Sequence, residues 1–133
     1  RLEAAQMLLP LADDQLPAPE LTDTAEEAAR RAAANRFFPL EKGCFAPRRT
    51  ISRQEMATVA MQACGVNYRN ASSTMPVCTD VDRVANNYGT NAARALYFGF
   101  MQLEADGHFD PERPVSRKEA VEILDRVADF AGL

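Results

Sequence analysis

The chain has 133 residues, a net charge of −4 at pH 7, 47% hydrophobic and 26% charged residues, the balance of one globular domain or a few very small repeats. That charge, with no Lys/Arg cluster of the kind phosphate binding needs, argues against a nucleic-acid partner. No run of apolar residues reaches the length of a transmembrane helix. The sequence opens on Arg1, and "RLEAAQMLLPLA" is followed by no small-residue cleavage site, so it reads as a piece of something longer without a signal peptide.

The opening stretch places Ala4, Met7, Leu8, Leu11 and Ala12 at i, i+3, i+4, i+7 and i+8, the stripe of a helix with one buried face. A Pro- and Asp-rich connector, "DDQLPAPELTD", follows and ends in Leu21, Thr22 and Asp23, whose Thr or Asp is a reasonable N-cap for the next helix. That helix runs through "TAEEAARRAAAN", with Ala25, Ala28, Ala29, Ala32 and Ala33 on its apolar face. Asn35 ends it as a residue type that tolerates a left-handed cap. Next comes a loop, "GCFAPRRTISRQE", and a third helix striped by Met56, Val59, Ala60, Ala63 and Cys64.

A second connector, "GVNYRNASSTMPVCTD", closes on Cys78, Thr79 and Asp80, again an apolar residue followed by Thr-Asp. Val84, Tyr88, Ala92, Ala95 and Leu96 then trace a fourth apolar face that ends at Gly99. The loop "GHFDPERPVSRKE" leads into the last helix, striped by Ala120, Ile123, Leu124, Val127 and Ala128. A shift of 64 residues lays residues 43–55 on 107–119 with seven of thirteen identities, and makes Asn35 equivalent to Gly99. A shift of 52 lays the opening helix on the third, Arg1 meeting Arg53 and Glu3 meeting Glu55. The chain is therefore an all-α array of helix-loop-helix repeats. Its segments are 1–13, the closing helix of a truncated first repeat, 14–68, the second repeat, and 69–133, the third, joined in one compact domain. A single helix pair hides its stripe poorly, so the stripes are expected to share a core.

Within the loops, Gly43 and Gly107 permit positive φ, Phe45 and Phe109 plug the gap between helices, and Pro47 and Pro111 stiffen the approach. Ser52 with Glu55, and Ser116 with Glu119, are capping boxes. Arg53 and Arg117 sit in the first turn, where the helix dipole disfavours a cation by a few tenths of a kcal/mol. Two compensations fit: an anion held by guanidinium and helix N-terminus together, or a structural ion pair with Asp80, Asp82, Glu119 or Asp23.

Those residues carry a resemblance. "CTDVDRVANNYGTNAA", the "DGHFDP" loop and "PVSRKEAVEILDRV" resemble the S-layer homology repeat, whose hallmark is a Thr-Arg-Ala-Glu-like tetrad after an Asp-Gly-x-Phe-x-Pro loop. Residues 78–130 cover one whole repeat, 21–65 a second, and 1–12 a closing helix. The resemblance implies helices around a pseudo-threefold core and noncovalent anchoring of an extracellular protein to the bacterial cell wall. Its ligand would be a pyruvylated secondary cell-wall polysaccharide or modified peptidoglycan, held by the tetrad residues Arg53 and Arg117, Arg1, and the hydroxyls of Ser52 and Ser116. No cofactor, metal or enzymatic activity is implied. The alternative is a protein-protein assembly module of a surface layer, filament or envelope complex. The tetrads carry Ser in place of Thr, and Lys42 and Cys44 stand where the last loop has Asp106 and His108. With no Trp in the chain, Tyr88, Tyr97 or Phe38 would be the sugar-stacking rings.

His108, the single histidine, has no second histidine to form a ligand set and reads as a solvated loop residue; "EADGHFD" lacks the ligand spacing of a calcium loop. Cys64 and Cys78 read as small core residues or, alternatively, as a disulfide worth about 3 kcal/mol in the chain-entropy account.

Overall fold

Five α-helices form among the residues described by the computed structural model, which are 1–38, 40–65, 78–85 and 88–132: α1 Leu2–Leu8, α2 Glu27–Ala34, α3 Arg53–Cys64, α4 Gly89–Tyr97 and α5 Arg117–Ala131. The described residues contain isolated bridges, Glu41 with Cys44 and Ser52 with Pro114, but no strand. The array is all-α, and no described helix is long and apolar enough to cross a membrane.

The contacts divide the chain into two compact units, Arg1–Thr50 and Ile51–Leu133. The division falls inside the second sequence repeat. Unit 1 joins α1 to α2 and the loop that follows; unit 2 joins α3 to α4, the next loop and α5. Each unit therefore contains the closing helix of one sequence repeat together with the opening helix and loop of the next.

The stripes account for what each helix buries. In unit 1, Ala4, Ala5 and Leu8 of α1 face Ala28, Ala29 and Ala32 of α2, small side chains that let the two helices approach. The α1 stripe stops early, because Leu9–Leu11 continue as a 3-10 turn with Pro10. In unit 2, α3 buries residues all round, Met56, Ala57, Val59, Ala60, Met61, Ala63 and Cys64, because α4 and α5 both pack on it. Only one side of α5 is buried, through Ala120, Ile123, Leu124 and Val127. The fourth stripe makes a shorter helix than its length implies: Val81–Arg83 form a 3-10 turn and α4 begins at Gly89.

The expected equivalence of Asn35 and Gly99 is off by one. Asn35 has φ −85°, and it is Arg36 that takes the left-handed position after α2, with φ 58°. The N–H groups of Arg36 and Phe37 donate to the carbonyls of Ala33 and Ala32, as those of Gly99 and Phe100 donate to Leu96 and Ala95. Both ends are Schellman motifs, and they align under a shift of 63.

The missing residue lies in the turn that follows. In unit 1, Glu41 and Cys44 exchange both backbone hydrogen bonds across a two-residue turn whose central residues, Lys42 and Gly43, have φ 52° and 78°. That is the sign pattern of a type I′ hairpin. In unit 2, the Glu104 N–H donates to the His108 carbonyl across three residues, with Gly107 left-handed at φ 83°, the three-residue alternative. Beyond the turn glycine the shift is 64 again.

Candidate functional site

The Thr-Asp pairs turn out to hold loops, not to cap helices. The Asp80 carboxylate accepts from the N–H groups of Phe109 and Asp110 at 2.8 and 2.9 Å, and the Asp23 carboxylate accepts from Phe45 and Ala46 at 2.9 and 2.8 Å. The threonine before each aspartate donates its N–H to the turn glycine, Thr22 to Gly43 and Thr79 to Gly107. Asp80 does stand at the start of the 3-10 turn Val81–Arg83, but without a side-chain cap bond. The α-helices begin elsewhere: the cap of α2 is Glu26 and that of α4 is Tyr88, neither with a side-chain cap bond. The reason is that Ala46 and Asp110 share a left-handed backbone at φ 54°. Two successive N–H groups thereby converge on one anion. Burial pushes the Asp80 carboxyl upward, but its two backbone hydrogen bonds outweigh that and hold it below the usual carboxylate range. Asp23 is lowered by the N–H of Phe45 first and of Ala46 second.

Phe45 and Phe109 are fully buried, as the plug role requires. Over the Phe109 ring, with its guanidinium carbon 5.1 Å from the centroid, lies Arg53. Arg53 is only 5% exposed. Its Nε donates to the Phe109 carbonyl and its Nη2 to the Gln102 carbonyl, both at 2.6 Å, while Nη1 lies 3.5 Å from Glu119 and 3.8 Å from Glu104. The first N–H groups of α3 are committed as well, Arg53 to the Arg113 carbonyl, Gln54 to the Pro111 carbonyl and Glu55 to the Ser52 hydroxyl. The start of α3 is thus filled by the loop of the next repeat, and its guanidinium spans two carbonyls and two carboxylates.

Unit 1 repeats this arrangement. Arg1 is 8% exposed, its Nη1 donates to the Phe45 carbonyl at 3.1 Å, and the Leu2 N–H donates to the Pro47 carbonyl. Its guanidinium lies over Phe38, 5.6 Å from the centroid. Phe38 is itself buried against Phe45, so it offers no ring to a sugar. Tyr97 is 60% exposed and Tyr88 half-buried. Arg117 differs from both other tetrad arginines in lying exposed at the start of α5. Ser116 accepts from the Glu119 N–H there, the serine half of the box, while the Glu119 carboxylate turns to Arg113.

Arg113 is the residue that sequence reasoning passed over. It forms a two-pronged pair with Glu119 at 2.8 and 2.9 Å and reaches Glu104 at 2.7 Å. Glu119 is lowered chiefly by its hydrogen bonds to Arg113, and those bonds raise Arg113 in turn. Arg49 and Glu41, 3.4 Å apart, are the unit 1 counterpart. Together Arg53, Glu104, Arg113, Glu119, Glu122 and Arg126 line a cleft of about 260 Å³ whose apolar wall is Met101, Leu103 and Ile123. Three arginines and three glutamates make it polar and charge-balanced.

Cys44, Cys64 and Cys78 form no disulfide in this structure, so the alternative Cys64–Cys78 bond is not made; Cys64 is buried, as a core residue should be, and Cys78 is half-buried. The His108 Nδ1 lies 3.1 Å from Asp106. No group of three potential metal ligands occurs among the described residues.

Residues 79–121 match the family model of the S-layer homology domain. The matched segment contains Asp80, the Phe109 loop, Arg113 and Glu119, the parts that build the clasp and most of the cleft. A search of curated proteins finds no match to the chain.

Proposed function

We propose that this chain, whose residues 79–121 are of the S-layer homology kind, is a noncovalent cell-envelope anchor acting extracellularly on an acidic, pyruvylated-type secondary cell-wall polysaccharide or a peptidoglycan-linked polymer. S-layer homology domains are cell-surface anchoring modules that bind cell-wall polymers. The observation that carries the finer reading is the cleft, most of whose lining lies in the matched segment. Its alternating guanidinium and carboxylate groups offer donors and acceptors to the hydroxyls of a sugar, and its apolar wall suits the ring's C–H face.

In this reading Arg53 contributes its Nη1 edge to the cleft floor, and Arg117 with Ser116 presents donors at the exposed start of α5. Arg1 and Ser52 stabilise the loops and helix starts that shape the surface. Reversing Arg53 would test folding rather than binding, because its guanidinium is tied to two carbonyls. The informative variants are Glu122→Lys and Arg126→Glu, both exposed on α5. They are expected to abolish cosedimentation with purified wall sacculi while circular dichroism stays native. Unchanged sedimentation would overturn the cleft as the polymer site.

A further inference from the structure

The two loops that share one clasp carry opposite charge. Residues 36–50 contain Arg36, Lys42, Arg48 and Arg49 against Glu41; residues 100–114 contain Glu104, Asp106, Asp110 and Glu112 against Arg113. Under the shift of 64, Lys42 falls on Asp106 and Arg48 on Glu112. The first loop is thus strongly basic in a chain whose net charge is −4. All four of its cations are exposed.

Local structure gathers three of them. Lys42 heads the tight turn between Glu41 and Cys44, and Arg48 sits in the next turn, closed by the Arg49 N–H on the Ala46 carbonyl. The Arg49–Glu41 pair at 3.4 Å fastens one turn to the other. Arg36 and Lys42 also occupy left-handed positions, φ 58° and 52°, where Gly or Asn is the easier residue. Folding therefore disfavours both cations where they stand, and a gain outside folding is needed to account for them.

Meanwhile the guanidinium groups of the unit 2 cleft are engaged. Arg53 spans two carbonyls, and Arg113 is held by two carboxylates. An acidic polymer at that cleft meets glutamates as often as arginines.

We infer that loop 36–50 is the surface that reads the acidic groups of the ligand, and that its occupant is a carboxylated polysaccharide. This rests on the anchoring reading and moves acid recognition from the tetrad arginines to a loop in unit 1. Exposed single charges attract weakly and are screened by salt. A loop with several of them, spread over two turns, suits a polymer with repeated carboxylates rather than one small anion.

The test uses polygalacturonate as a soluble carboxylated polysaccharide, with binding measured by calorimetry at about 50 and about 200 mM salt. Lys42→Glu with Arg48→Glu is compared with wild type and with Arg83→Glu plus Lys118→Glu, which makes the same change in net charge on unit 2. Wild-type binding that weakens with salt, is reduced at least about tenfold in the loop variant and survives in the charge-matched variant is the expected result. Equal binding by the loop variant, equal loss in both variants, or no binding by wild type overturns the inference. So does a loop variant that alters only the sedimentation coefficient of the protein alone, which would make the partner the acidic loop of a second copy. Wild-type protein that binds polygalacturonate through the loop but not wall sacculi sinks the anchoring reading and leaves the loop assignment standing; sacculus binding retained by the loop variant does the reverse.

Discussion

The two loops are built on one plan and stabilised unequally. In unit 2 the clasp aspartate is 3% exposed and the arginine at the loop's end is bound by two glutamates. In unit 1 the clasp aspartate is exposed, the corresponding arginine has Glu41 at 3.4 Å, and two cations occupy left-handed backbone. The difference teaches that the motif tolerates losses of support at its rim while Phe45 or Phe109 remains buried at its centre. Unit 2 holds its loop tightly, and unit 1 spends conformational strain on exposed charge.

The largest expected break in that contrast comes from removing the clasp. Asp80→Ala leaves the N–H groups of Phe109 and Asp110 without their acceptor in a buried place and is expected to cost about 3 kcal/mol in urea unfolding. Asp23→Ala, at an exposed site, is expected to cost clearly less. Equal losses would show that exposure does not govern the clasp's strength.

Acid comes next, because carboxylates hold both loops. Asp80 and Glu119 titrate below their ordinary values of 3.8 and 4.5 when folded. Their stabilisation is therefore complete above those values and lost as the pH falls through the lower folded ones. The urea midpoint should stay level through the neutral range and decline only below about pH 4.5. Asp80→Asn should flatten part of that decline; an unchanged pH profile would remove Asp80 from the account.

The smallest effect has the opposite sign. Arg36→Gly relieves a left-handed arginine and is expected to stabilise the protein by about 1 kcal/mol. Gly99→Ala, at the equivalent position with φ 76°, is expected to destabilise it by a similar amount. A destabilising Arg36→Gly would mean that the arginine makes a folding contribution its backbone hides.

Much of this was legible in the sequence. The three closing helices, both phenylalanine plugs and both serine caps follow from a repeated pattern whose physical causes are local or periodic. Asn35 was misplaced because the repeat lacks a residue between helix and turn glycine, so one shift could not serve both. The same slip hid the pairing of Glu104 with Arg113: a shift of 64 sets Glu41 against Ala105, although Arg49 and Arg113 are among the identities. Burial of Arg53 was not legible, since the groups that make it tolerable are main-chain carbonyls of Gln102 and Phe109, which have no signature in residue type. The role of Asp23 and Asp80 was misread for a related reason: an aspartate near a helix start serves equally as a cap or as an acceptor for a distant turn.

The out-of-phase relation between sequence repeat and compact unit has a consequence for protein engineering. An excision made at the sequence boundary, residues 69–133, would strip α3 from the loop that receives Arg53 and from the two helices packed on it. A cut before Ile51 keeps those partners in one piece. Modules meant for transplantation onto another protein should accordingly be taken from the end of one loop to the end of a later closing helix, with the borrowed helix treated as part of the cargo.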